Sequence, residues 1–256
     1  MMNLSEELSI QLYSLREYGD LERQLAALAE AGFRRVETIG SHLADAKGTR
    51  ALLDRYGIGA PTGHVAMTDL RSRLDWVAEQ AKIVGIEELY MPAVPVEERG
   101  LSAERWHAVG AELGEMAERM AGYDLALGYH NHHWELNPFD DGSTPLQHLF
   151  AGAGGSKLTF EADLAWLVRG DGDPIAWMER EKTRLTAIHI KDIAPTGSNI
   201  DQDGWADIGG GTLDWPNLIG EARARGARWM VLEHDKPKDP IGFAHNSRAY
   251  LLRHFG

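Results

Sequence analysis

The chain has 256 residues, no cysteine, and 26 basic against 39 acidic side chains, a net charge of −13 at neutral pH. The length admits one large α/β domain or two small ones. The missing cysteines exclude a disulfide framework and any thiolate metal site, and the acidic balance repels a phosphate backbone and argues against nucleic acid as a partner.

The opening run MMNLSEELSIQLYSLRE has neither the basic start nor the apolar stretch of a signal peptide. No apolar run reaches the ~18 residues of a membrane span, so the expectation is a soluble, cytoplasmic protein with no membrane partner. Strand candidates then follow at Leu8–Tyr13, Arg35–Ile39, Gly59–Val65, Glu88–Met91, Leu125–His130, Leu158–Asp163, Ala187–Ile190 and Trp229–Glu233. Between them run helices with apolar residues at helical spacing, such as Leu70, Leu74, Val77, Ala81 and Val84, or Trp106, Val109, Leu113, Met116 and Met120. Those stripes are core. Helix starts are marked by Asp20, Ser102 and Pro216. Helix ends are marked by glycine seams at Gly32, Gly57, Gly85, Gly122 and Gly226, where the chain needs a left-handed residue. Eight strands alternating with helices over about 250 residues predict an α/β fold, a closed (β/α)8 barrel in one domain over residues 1–256. No G-x-G-x-x-G follows the first strand, which weakens a dinucleotide-binding alternative. The irregular stretch Ala194 to Thr212 reads as a functional loop.

In such a barrel active groups sit at the C-terminal strand ends. The richest end is Leu125 to Leu136, LALGYHNHHWEL, with His130, His132, His133 and Glu135 in six residues. Strand alternation puts His130 and His132 on one face, and Asn131 and His133 on the other. Glu135 reaches the mouth only if the chain turns after His132, which Asn137-Pro138 just downstream supports. The other ends carry Gln11, Tyr13 and Arg16, then Glu37, His64, Glu161 with Asp163, His189 with Lys191, and Glu233. Charge closing successive buried strands costs several kcal/mol per unpaired ion, so the pattern predicts a bound divalent cation. Some residues keep two readings. Lys191 either holds oxyanion charge or pairs with Asp192 at the surface; His64 orients hydroxyls or merely closes its strand; Trp134 and Trp166 stack on a sugar or pack the barrel. Gly209-Gly210-Gly211 either offers amides to a phosphate or makes a tight turn.

The runs GYHNHHWEL, FEADLAWLVRGDGDP, HIKD, IGGGTLDW and VLEHD, in this order, resemble the xylose-isomerase-like TIM barrel family of sugar phosphate isomerases and epimerases. The resemblance implies one divalent ion (Mn, Co, Mg or Zn) held by Asp163, His189, Glu233 and a ligand from strand five. There the family's usual Glu is replaced, and His130 stands nearest its place, with His132 and Glu135 as competitors. It also implies a small sugar substrate and homo-oligomers. The implied chemistry is isomerisation or epimerisation of a keto-sugar by proton transfer through a metal-stabilised enediolate. Glu135, His132 and Glu161 are the candidate bases, Lys191 the oxyanion partner, and Gln11, Tyr13, His64 and Trp166 the substrate-binding set. The HNH form also resembles the inosose dehydratase and 3-keto-glycoside branches, which keeps a lyase as the alternative. A metal-dependent endonuclease on the same barrel is opposed by the net charge.

Overall fold

Why the apolar residues of each strand split into two sets becomes plain once the strands are paired. The computed structural model describes residues 7–100 and 102–255. Residues 1–6 of the N-terminal run read above, Leu101 and Gly256 lie outside them. Eight strands, β1 (Leu8–Ile10), β2 (Arg35–Thr38), β3 (Gly59–His64), β4 (Glu88–Met91), β5 (Ala126–His130), β6 (Thr159–Asp163), β7 (Leu185–Ile190) and β8 (Trp229–Leu232), pair in parallel with their neighbours in sequence. β8 returns to β1, and a bridge between Gln11 and Glu37 joins β1 to β2 and closes the ring. The expected (β/α)8 barrel is the observed one. The helices around it are α1 (Leu21–Glu30), α2 (Ala46–Tyr56), α3 (Met67–Val84), α4 (Ala103–Ala121), α5 (Pro145–Ala153), α6 (Leu164–Arg169), α7 (Pro174–Arg180), α8 (Trp215–Ala224) and α9 (Pro240–Phe255). Among the described residues none is long and apolar enough to cross a membrane.

Alternation along each strand sorts the core. Leu89, Met91, Ile188, Ile190, Met230 and Leu232 join the large cluster between strands and helices. Their neighbours Tyr90, Ala187, Trp229 and Val231 form a separate cluster, on the face that looks into the barrel. At the N-terminal end of the strands the interior is plugged by Glu88, which accepts from Thr159 Oγ1 at 2.6 Å and Thr186 Oγ1 at 2.7 Å, with Trp229 Nε1 at 3.3 Å. The opposite end carries the charges described below.

The helix signals are largely met. Asp20 accepts from the Arg23 amide and Ser102 from the Arg105 amide, while Pro216 lies in the first turn of α8 behind Asp214. Gly32, Gly57, Gly85 and Gly226 all have positive φ, from 62° to 100°. Gly122 differs, with φ −65°. After α4 the chain makes a longer turn, and Asp124 takes the left-handed position at φ 58°. Ala194 to Thr212 is also more ordered than expected: Trp205–Ala206 pairs antiparallel with Asp192–Ile193.

Helices α4 and α5 pack backbone to backbone. A Cβ on Gly110 would lie 1.8 Å from the Leu149 carbonyl oxygen, whereas one on Gly220, on the exposed side of α8, would meet nothing within 4 Å. The same substitution therefore has opposite signs at the two sites. Gly110→Ala is expected to lower stability by about 2–3 kcal/mol through overpacking, and Gly220→Ala to raise it by about 0.5–1 kcal/mol through helix propensity and unfolded-chain entropy. Denaturant midpoints decide the matter, and equal signs would contradict the packing described.

Candidate metal centre

Strand geometry brings most of the expected groups to one point. His130, Asp163, His189 and Glu233 each offer one ligand atom, and these atoms all lie within 4.8 Å of one another. His189 Nδ1 is 2.9 Å from Glu233 Oε2 and 3.9 Å from Asp163 Oδ2, and His130 Nε2 is 4.0 Å from Asp163 Oδ2. A second set, His64, His130, Glu161 and His189, is equally compact and shares two members with the first. Lys191 is fully buried; its Nζ lies 2.7 Å from Glu233, 2.9 Å from Asp235 and 3.0 Å from Asp163. The surface pair with Asp192 is thus absent. Asp192 instead accepts from the amides of Gly209, Gly211 and Leu213, so the glycine run is a turn wrapped on a carboxylate, with two of its amides already committed.

The electrostatics follow from burial set against partners. Burial opposes a charged Lys191, but Asp163, Asp235 and Glu233 outweigh it and hold the ammonium firmly protonated. Burial likewise opposes charge on His64, yet Glu37 and Glu161 raise it to about 9, and Glu161 and Glu233 raise His189 well above the usual range. His130 and His132 go the other way, well below the ordinary value. Burial is the main cause for both, reinforced by His189 for His130 and by Lys191 for His132. Burial raises Asp163, whereas Lys191 and His189 overcome burial and lower Glu233.

This donor set fits a divalent ion. Ligands around a tetrahedral ion with bonds of ~2.1 Å sit about 3.4 Å apart, within the spread of the distances just given. Asp163 Oδ2 is buried and makes no hydrogen bond; Lys191 Nζ beside it is an ion-pair partner with poor hydrogen-bond geometry. Two imidazoles and two carboxylates suit Zn, Mn or Co, and tolerate Mg less well.

The mouth is a cavity of about 530 Å³ whose walls include Tyr13, His64, His130, His132, Trp134 and Glu233. Its turn after His132 is as the sequence suggests: Trp134–Leu136 is one turn of 3-10 helix. Glu135, however, does not reach the rim. It is fully buried, accepting from Tyr129 Oη at 2.5 Å and from the His132 amide at 2.8 Å, so it pins the turn that presents His132. Gln11 and Trp166 also stand back from the cavity. Gln11 donates to Glu37 at 2.8 Å, and Trp166 packs on His133 and Trp205. Glu161 lies fully buried among His64, His130 and His189. Glu37 was expected only as a strand-end charge with no role of its own, and Asp235 and Arg99 were not singled out at all. Asp235 was findable, being two residues past Glu233 on an extended stretch; Arg99, stacked 4.0 Å over Trp134, comes from an irregular loop with no period to read.

Eight parallel strands closed into a ring, with a His and carboxylate cluster at their C-terminal ends that could hold a metal ion, define an α/β TIM barrel. More particularly, the chain belongs to the xylose isomerase-like TIM barrel family, whose model matches residues 25–252. It is similar to the rhizopine catabolism protein MocC of Rhizobium meliloti, 23% identical over 91% of this chain and 81% of that protein. Among solved structures it is similar to a sugar phosphate isomerase/epimerase of Parabacteroides distasonis, with TM-score 0.79 and 21% identity over 97% of this chain and 94% of that one. It is also similar to the IOLI protein with a bound zinc atom, with TM-score 0.75 and 14% identity over 98% and 99%.

The burial of Glu135 has a measurable consequence. Burial raises its pKa from 4.5 to about 7 against the opposing hydrogen bonds from Tyr129 and His132. Between those values the native state holds a proton that the unfolded chain releases, so stability falls as pH rises through the window. Glu135→Gln, which keeps an acceptor for the His132 amide, should remove that slope. The variant's advantage over wild type should grow between pH 4.5 and pH 7 by an amount on the order of 3 kcal/mol. Parallel stability curves from chemical denaturation would show that Glu135 carries no such proton.

Proposed function

We propose that the protein is a divalent-metal-dependent isomerase or epimerase of a keto-sugar or sugar derivative. The observation that carries this reading is the convergence of His130, Asp163, His189 and Glu233 at the strand ends, with an orphaned buried carboxylate oxygen among them, beside a cavity of sugar size. When bound, the ion supplies Lewis acidity, making the proton next to a substrate carbonyl removable and balancing enediolate charge. The residues around it do the rest. His132 lines the cavity, its Nδ1 has no hydrogen-bond partner, and burial together with Lys191 keeps it neutral, as a general base must be. Its ring is held by stacking on Trp134, 4.1 Å between centroids, and its backbone by Glu135. Lys191 sets the charge of Asp163 and Glu233 from behind the cavity. Tyr13 and His64 are placed to meet substrate hydroxyls. Epimerisation and isomerisation differ only in where the proton is returned. A lyase shares the same first step and then loses a β-leaving group. The observation on its side is His130 in the place of the usual strand-five glutamate.

Asp163→Ala and Glu233→Ala should each strip a divalent ion from the dialysed protein while circular dichroism stays that of the folded barrel. Full metal occupancy in both would sink the ligand set. His132→Gln should keep the ion and lower the rate of solvent deuterium exchange into a reactive keto-sugar by about 10²-fold, the scale of a lost general base. A β-elimination product in the same assay would select the lyase.

A further inference from the structure

Two candidate ligand sets overlap at the top of the barrel, and both need His130 and His189. A neutral imidazole has one lone pair, so the nitrogen that carries the proton decides which set each ring can serve. Glu161 Oε2 lies 2.7 Å from His64 Nε2, 3.0 Å from His130 Nδ1 and 3.2 Å from His189 Nε2. Glu37 Oε1 lies 2.9 Å from His189 Nε2 and 3.1 Å from His64 Nε2, and accepts from Gln11 Nε2 at 2.8 Å. An ionised carboxylate only accepts, so each of these imidazole nitrogens carries a hydrogen. The nitrogens left over are His130 Nε2 and His189 Nδ1; the second lies 2.9 Å from the Glu233 carboxylate and holds a hydrogen there that a bound ion would displace. Those are the atoms that face Asp163 and Glu233.

We infer that Glu161 and Glu37 are positioning residues that fix the tautomers of His130 and His189, directing a divalent ion to the Asp163–Glu233 side and away from His64. The inference rests on the metal-dependent reading above and adds to it a division of labour. Glu161 is neither base nor ligand; it is the common acceptor behind two ligands. The fold holds both carboxylates rigidly. Glu37 is fixed by the Gln11 bridge that closes the barrel, and Glu161 sits at a register shift between β6 and β7, which sets Asp163 beside His189. Outer carboxylates of this kind raise the basicity of the ligating nitrogen, and losing one typically costs 10–100-fold in metal affinity.

The test uses the full chain, stripped of metal and titrated with zinc against a chromophoric chelator. Glu161→Gln should bind zinc about 10–100-fold more weakly than wild type, because an amide can hand a hydrogen to the wrong nitrogen. Glu161→Asp should recover part of the loss, and Glu37→Gln should add to it. His64→Asn should stay within about threefold of wild type, since that ring lies outside the set. Imidazole 15N shifts of the zinc-loaded wild type give a readout that needs no variant. They should place hydrogen on His130 Nδ1 and His189 Nε2, with zinc on the opposite atoms. Wild-type zinc affinity in Glu161→Gln, loss of zinc in His64→Asn as complete as in Asp163→Ala, or zinc on His130 Nδ1 would each overturn the inference while leaving metal dependence standing. A wild-type chain that takes no zinc, manganese or cobalt would overturn both.

Discussion

Lys191 is the interaction on which the rest of the site depends. A closed barrel buries its interior, and here its upper end holds Glu37, Glu161, Asp163 and Glu233, all but fully buried, with Asp235 at the margin. Several carboxylates at such separations cannot all stay ionised without nearby positive charge. Lys191 meets Asp163, Glu233 and Asp235 at once, so one ammonium serves three acids. The imidazoles serve the remainder. His64 and His189 hold protons against the pull of burial because Glu37, Glu161 and Glu233 surround them. A divalent ion entering this cluster would exchange with protons already in place, and its binding would be coupled to proton release.

The two ends of the barrel solve the buried-polar problem differently. At the N-terminal end, Glu88 is answered by two hydroxyls, an indole and the Arg228 guanidinium, none of which changes its protonation near neutral pH. At the C-terminal end the acids are answered by groups that titrate or move. Between them lies a disc of Tyr90, Ala187 and Val231, and Gly128 has no Cβ because one would lie 2.6 Å from the Tyr90 ring. The lower plug holds the ring of strands together, and the upper cluster keeps unspent coordination. The structural polar plug and the candidate metal site thus lie at opposite ends of the same strands.

The barrel was legible because period-two alternation and the glycine seams report local physics that tertiary packing did not override. Seven of the eight strands both begin and end within two residues of their expected limits, and His130 and His132 do share the cavity face. What the sequence could not carry was contact across the ring. Glu37 and His189 are 152 residues apart and meet only because β2 and β7 face each other over the barrel interior. Glu135 failed as a rim residue for a local reason: the 3-10 turn after His133 rotates its side chain inward to Tyr129, which alternation cannot foresee once the strand has ended.

Strand five explains why the outer carboxylates matter in this chain in particular. A glutamate in the place of His130 would bring its own negative charge and two equivalent oxygens, and needs no tautomer set for it. An imidazole brings neither: it is neutral as a ligand, and only one of its nitrogens can bind at a time. Replacing a carboxylate ligand with a histidine therefore moves the requirement one layer outward, where a group must hold the ring's other nitrogen protonated and return some electron density through it. Glu161 meets that requirement for His130 and, from the same oxygen, for His189. On the proposed ligand set, the negative charge absent from the ligand shell would reappear behind it, with a carboxylate acting through two imidazoles in place of one bound directly.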